Sequence, residues 1–223
     1  MTWGIPLPPL TNEGELLARC QRIESLSFMQ LANALGLVIP NHPLKRKGWA
    51  GQALELALGT SAKNKSAPDF CTLGIELKTL PINHLGKPSE STFVASIPLL
   101  TIHQQDWEHS QCYSKLRRVL WIPVEGDPGI SYPDRRIGRG VLWSPTDGDQ
   151  EILKRDWSEF VLMISTGQLS EIDAAMGEYL QVRPKAAHGQ SLCYGFDEHG
   201  QKIKTLPRGF YLRSRFTGSI FGQ

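Results

Sequence analysis

The segment Pro68-Asp69-Phe70-Cys71-Thr72-Leu73-Gly74-Ile75-Glu76-Leu77-Lys78-Thr79 constrains this chain more than any other. It sets one carboxylate, a second carboxylate seven residues on, and an ammonium two residues after that. From Leu73 to Leu80 the residues alternate with the period of a half-buried strand. Ile75, Leu77 and Thr79 then share one face, and Gly74, Glu76 and Lys78 share the other. Glu76 and Lys78 therefore point the same way. Asp69 follows a proline, where a turn can swing it beside Glu76.

Two carboxylates held together repel each other and attract a cation. A hard divalent metal such as magnesium takes oxygen ligands and keeps several waters. A neighbouring ammonium can orient one of those waters or neutralise charge that builds on a pentavalent phosphorus. That is the chemistry of metal-assisted phosphodiester hydrolysis. The same triplet on a solvated strand would be only a weak surface ion pair, so its surroundings matter. Upstream, Lys47-Gly48-Trp49 opens a short helix with apolar residues at Ala50, Ala53, Leu54, Ala57 and Leu58 and a stop at Gly59. Glu55 lies in this helix and could supply a third carboxylate.

These blocks together resemble the MutH family, strand-nicking endonucleases of bacterial methyl-directed mismatch repair within the PD-(D/E)xK nuclease superfamily. The resemblance is carried by Lys47-Gly48-Trp49 with Glu55, by Pro68-Asp69-Phe70 and by Gly74-Ile75-Glu76-Leu77-Lys78-Thr79. It continues through the segment from Ser114 to Val124, through Tyr179-Leu180-Gln181-Val182-Arg183-Pro184-Lys185-Ala186-Ala187, and through Leu206-Pro207-Arg208-Gly209-Phe210-Tyr211-Leu212-Arg213.

The resemblance implies a magnesium-dependent endonuclease that nicks the unmethylated strand at hemimethylated or unmethylated GATC, 5′ to the guanine. Asp69 and Glu76 would bind metal, with the Leu77 carbonyl as an extra ligand and Glu55 as a carboxylate for a second ion or its waters. Two magnesium ions are possible, and manganese or calcium could occupy the same place. Lys78 would orient the attacking water, and Lys115 would hold a phosphate or couple cleavage to recognition. Arg183, Pro184 and Lys185 would read GATC, and Tyr211 would sense adenine methylation. Lys47, Gly48 and Phe93 would be further DNA contacts, Phe93 as a wedge at a base step. The implied partners are duplex DNA containing GATC and the activator MutL, with MutS upstream. One active site suffices for nicking, so a monomer is expected. Within the same superfamily, the pattern also suits a type II restriction enzyme that cuts both strands at GATC. A DNA-binding module without catalysis is the alternative from another class.

Strands and helices interleave along the 223 residues, so the expected class is α/β or α+β with a mixed sheet. The resemblance narrows this to a restriction-endonuclease-like central sheet flanked by helices, one domain over residues 1–223 with two subdomains around a DNA-binding cleft. The N-terminal arm would include residues 47–80, and the C-terminal arm residues 183–187 and 206–213. Net charge is only +2, but residues 183–223 carry a net +5 and residues 145–182 a net −6. That asymmetry suits one DNA-facing side. The four cysteines lack zinc or disulfide spacing and read as reduced thiols of a cytoplasmic protein. Neither a signal peptide nor a membrane span is expected.

Helices are expected over 12–22, 28–35, 105–116, 149–164 and 170–176. Strands are expected over 73–80, 93–100, 118–124 and 179–182, and a loop over 37–46. The basic stretch Arg135-Arg136-Ile137-Gly138-Arg139 is a candidate phosphate contact.

Overall fold

Asn12 starts the first helix, α1 (Glu13–Ile23), by accepting the Glu15 N–H on its side-chain oxygen at 3.0 Å. Ser27 and Gln30 form a reciprocal capping box that opens α2 (Phe28–Leu35). A single turn, α3 (Pro43–Arg46), occupies the stretch expected as a loop. Next comes α4 (Trp49–Leu58). Gly36 and Gly59 take the left-handed conformation that ends α2 and α4. The buried Arg19 donates to the Leu58 carbonyl at 2.7 Å, which places a cation at the negative end of α4.

This computed structural model describes residues 7–46, 48–60, 66–185 and 191–221. The chain divides into two units, one of residues 1–89 and 118–144, the other of residues 90–117 and 145–223. The first unit holds α1 to α4 and a three-stranded sheet. In it β1 (Glu76–Ile82) runs parallel to β3 (Val119–Glu125), and β3 runs antiparallel to β4 (Val141–Trp143). The order β1-β3-β4 leaves β1 on an edge. Leu16, Phe28, Leu31, Ala53, Leu54 and Leu58 pack with Leu77, Leu120 and Ile122 to form the core.

The second unit is built on an antiparallel sheet of order β2 (Thr92–Ser96), β8 (Arg208–Leu212), β5 (Leu180–Pro184). Between β5 and β8 the chain makes a hairpin of β6 (Cys193–Phe196) and β7 (Lys202–Thr205). Three helices complete the unit: α5 (Gln111–Leu116), α6 (Asp147–Ser165) and α7 (Ser214–Phe221). The residues Leu153, Trp157, Phe160 and Ile164, spaced for one helical face, are buried on α6. Asp156 is buried with them, and its Oδ2 accepts the backbone N–H groups of Glu178, Tyr179 and Leu180 at 2.8, 2.6 and 2.9 Å. One carboxylate thus fixes the entry of β5 to α6.

The class is α+β, with a mixed sheet and flanking helices in the restriction-endonuclease-like manner. No helix among the described residues is long and apolar enough to cross a membrane. No disulfide joins any of the four cysteines, and burial pushes the Cys20 thiol up to about 12.

Several expected elements are shorter than their sequence pattern or absent. Residues 170–176 are not helical. Asp173 turns its carboxylate onto the N–H groups of Ala175 and Met176, and Arg213 takes the carbonyls of Ala174, Met176 and Gly177. The helix expected from 105 begins only at Gln111, because Asp106 accepts the His109 N–H and Ser110 caps the turn at Tyr113. The strand expected over 93–100 ends at Ser96, after a register shift between Phe93 and Ala95 and ahead of Pro98. The strands β4, β6, β7 and β8 had no expectation attached to them.

Asp156→Ala removes the shared acceptor of three backbone donors. The expected loss is about 3 kcal/mol or more of unfolding free energy in urea titration, with Asp156→Asn losing less because it keeps one carbonyl oxygen.

Candidate functional site

A tight turn connects Asp69 to Glu76. The Phe70 N–H donates to the Ile75 carbonyl at 2.9 Å, and the Ile75 N–H returns to the Phe70 carbonyl at 3.3 Å. Phe70 and Ile75 are both buried, so hydrophobic burial holds this pair shut. The turn explains why β1 starts at Glu76 rather than at Leu73. It also reverses the chain, so that Asp69 lies alongside β1.

The main chain of Glu76 faces β3, where its N–H donates to the Arg118 carbonyl at 3.0 Å. Successive residues of a strand direct their backbone groups to opposite sides, so Leu77 faces the open edge. There the Leu77 N–H donates to Asp69 Oδ2 at 2.8 Å. The Leu77 carbonyl lies on that same open edge.

Glu76 is buried, 3% exposed, and its Oε1 accepts from Lys78 Nζ at 2.6 Å. The period-two spacing does put both side chains on one face. One turn and one strand therefore bring Asp69 to the Leu77 backbone and Lys78 to Glu76, on adjacent residues of β1. Glu55 is an exposed residue of α4, one helical turn beyond Gly51. A Cβ at Gly51 would lie 3.9 Å from the Thr79 hydroxyl on β1. Among the described residues no three His, Cys, Asp or Glu side chains are gathered to hold a metal ion. The donor set here is two carboxylates and a backbone carbonyl. Hard oxygen donors of that number suit magnesium, which completes its shell with water.

Lys115 is buried in the last turn of α5, in the second unit. Lys47, Ala186 and Ala187 lie outside the described residues. Gly48 is exposed at the N-terminus of α4, with φ of +84°. In the basic stretch near 135, the half-buried Arg135 donates to the Ile130 and Asp127 carbonyls and the exposed Arg136 to that of Ser25, and Arg139 is exposed.

A second constellation forms on the sheet of the second unit. Phe93 of β2 and Gln181 of β5 flank Tyr211 of β8 in cross-strand register. The Phe93 and Tyr211 rings meet edge-on at 5.3 Å. The Arg183 guanidinium sits over the Tyr211 ring at 5.9 Å and donates to the Ser91 hydroxyl at 2.7 Å. Lys185 Nζ lies 3.9 Å from the Phe93 ring centre and donates to the Ser96 hydroxyl at 2.8 Å. Pro184 separates these two cations at the end of β5. Gly209 makes the arrangement possible, because a Cβ there would meet the Phe93 ring at 2.9 Å. Burial raises the Tyr211 phenol above its ordinary value, so it stays neutral near pH 7.

Ser91 and Ser96 aim the two cations, yet no local pattern in the sequence marks them. The signal that could find them is the pairing of β2 with β8, which joins segments more than a hundred residues apart.

A family model described as "DNA mismatch repair enzyme MutH" matches residues 58–156. The chain is 46% identical over 213 residues to the DNA mismatch repair protein MutH of Vibrio campbellii, covering 96% of this chain and 94% of that one. It is 47% identical over 212 residues to MutH of Pasteurella multocida, covering 95% and 96%. Against MutH of Escherichia coli K12 it is 45% identical over 216 residues, covering 97% and 94%. The chain belongs to the MutH family. The stretch that the MutH family model matches contains Asp69, Glu76, Leu77 and Lys78, along with Phe93 and Lys115. Members of the MutH family are DNA mismatch repair proteins, and the two constellations described above are this member's candidate machinery for that work.

Asp69→Ala should speed hydrogen exchange of the Leu77 amide about tenfold or more, since it loses a bond to a charged acceptor. Asp69→Asn keeps an acceptor oxygen and should keep most of the protection. Amide-resolved exchange by NMR reads both.

Proposed function

We propose that this chain is an endonuclease that nicks the unmethylated strand of hemimethylated GATC duplexes by metal-assisted phosphodiester hydrolysis. One observation carries the reading. A turn and an edge strand hold Asp69 at the Leu77 N–H while Lys78 touches the buried Glu76.

Asp69, Glu76 and the Leu77 carbonyl would hold magnesium, with Glu55 as a further carboxylate on the neighbouring helix. Magnesium, when bound, supplies a Lewis acid that lowers the pKa of water and offsets charge on the phosphate. Lys78 has three donor hydrogens and a side chain only 11% exposed. It can orient an attacking water by hydrogen bonding and screen negative charge as the phosphorus becomes pentavalent. Its ammonium acts more strongly in this shielded setting than it would in open water. Lys115 would hold a phosphate or couple cleavage to recognition.

Recognition would fall to the second unit. Arg183 can donate a bidentate pair to guanine, and Lys185 can donate to a guanine or thymine acceptor. The neutral phenol of Tyr211 can sit against the adenine amino group, where an added methyl would push it away. Phe93 would wedge at a base step. Lys47 and Gly48 would add contacts to the DNA. The activating partner would be MutL, with MutS upstream, and a monomer would suffice.

Plasmid cleavage with magnesium tests the reading, using GATC sites that are unmethylated, hemimethylated or fully methylated. The expected result is nicking of unmethylated and hemimethylated plasmid, stimulation by MutL, and no cutting of fully methylated plasmid. Glu76→Ala and Lys78→Ala should each reduce nicking by about a thousandfold, the scale on which positioned electrostatic groups act, while still binding duplex. Linear product without a partner would instead indicate a restriction enzyme. Nicking at the wild-type rate in either variant would remove that residue from the mechanism.

A further inference from the structure

Beside the Tyr211 face, the second unit has an open hollow of about 410 Å³ whose lining includes Arg183, Arg213, Arg215, Ser91, Ser214 and Gln181. Three arginines and two serines line this one space, and no carboxylate residue lines it among the described residues. Guanidiniums repel one another, so such a grouping calls for an anion. Burial first, and then the charge of Arg215, lower the Arg213 pKa from its ordinary value.

The carboxylates nearest these cations spend their hydrogen bonds elsewhere, although the charges of Asp156 and Asp173 still favour the Arg213 guanidinium. Asp156 is committed to the amides of Glu178, Tyr179 and Leu180. Asp173 is committed to the amides of Ala175 and Met176. Glu178 turns its side chain to Arg155 at 2.6 Å and offers Arg215 only its backbone carbonyl, at 3.0 Å. The guanidiniums are themselves fixed rather than loose. Arg213 is held by three carbonyls of the 174–177 loop, Arg215 by Glu178 and Arg183 by Ser91. A cation fixed before the ligand arrives loses less entropy on binding. The hollow also contains Ser214, the first residue of α7, so the positive end of that helix adds to the field.

We infer that this hollow seats a backbone phosphate of duplex DNA, with Arg213 and Arg215 as phosphate-holding residues beside the base-reading Arg183. The inference rests on the nuclease reading above and extends it to two arginines to which the sequence assigned no role. A seated phosphate there would set the register of the DNA along β5 and β8, so that Arg183 and Tyr211 meet the intended base pair. It would contribute affinity without sequence preference.

The test is duplex binding by fluorescence anisotropy across a salt series, without metal so that nothing is cut. One duplex carries GATC and a second lacks it. Arg215→Ala should weaken binding to both about tenfold and lower the slope of log affinity against log salt by about one. Arg215→Lys, which keeps the charge, should keep the slope. Ser214→Asp guards against a folding artefact, because an acid at the start of α7 favours the helix yet puts a negative charge in the hollow. It should weaken binding while the thermal melt is held or raised. Wild-type slope and affinity in both Arg215→Ala and Ser214→Asp would overturn the inference and leave the nuclease reading standing. A loss confined to the GATC duplex would also overturn it, since that is base reading. Inorganic phosphate that raises the melting temperature of wild type but not of Arg215→Ala, with an unchanged DNA slope, would assign the hollow to a free anion instead. Failure of the wild-type protein to bind any duplex would sink the nuclease reading itself.

Discussion

The site depends on one hydrogen bond, from the Leu77 amide to the Asp69 carboxylate at 2.8 Å. The first strand lies on the edge of its sheet, where backbone donors face outward. A carboxylate that occupies one of them fixes a negative charge one residue from the buried Glu76. The arrangement stands because the Phe70–Ile75 pair closes the turn and because β3 holds the other side of β1. Lys78 then offsets part of the charge. Each piece is local, so the acidic centre is assembled by a short stretch of chain whose geometry a single turn defines.

The face around Tyr211 follows the opposite principle. Its side chains come from β2, β5 and β8, which are distant in sequence, and only the sheet unites them. Two serines aim the cations, and a glycine leaves room for the Phe93 ring close to the backbone. Asp156 and Arg213 anchor the approach to β5 through backbone groups. The base-reading role proposed for this face would need such rigidity, because discrimination between bases rests on hydrogen-bond geometry.

How much of this was legible in the sequence depended on how far apart the interacting residues are. The capping box at Ser27, the stops at Gly36 and Gly59, and the buried stripe of α6 are local signals, and the chain obeys them. So is the shared face of Glu76 and Lys78. Expectations failed where a side chain captured the backbone, as Asp173 and Asp106 do, because periodicity is blind to such competition. The short strand β6 is a four-residue Cys-Tyr-Gly-Phe run and β7 alternates exposed lysines with an exposed isoleucine, so no apolar pattern marked them. Arg183, Lys185, Tyr211 and Phe93 were named from family resemblance. Their proximity follows from strand pairing, which composition and spacing do not encode.

The parallel pairing of β1 with β3 bears on the order in which the chain can organise itself. These neighbours in the sheet are separated in sequence by β2 and α5, which belong to the other unit. As the polypeptide leaves the ribosome, the acidic turn and β1 emerge while their hydrogen-bonding partner is still unmade. A parallel pairing also has to close a long intervening loop before it gains any contacts. The acidic turn can close on its own, but it gains the support of β3 only after a segment of the second unit has already been synthesised.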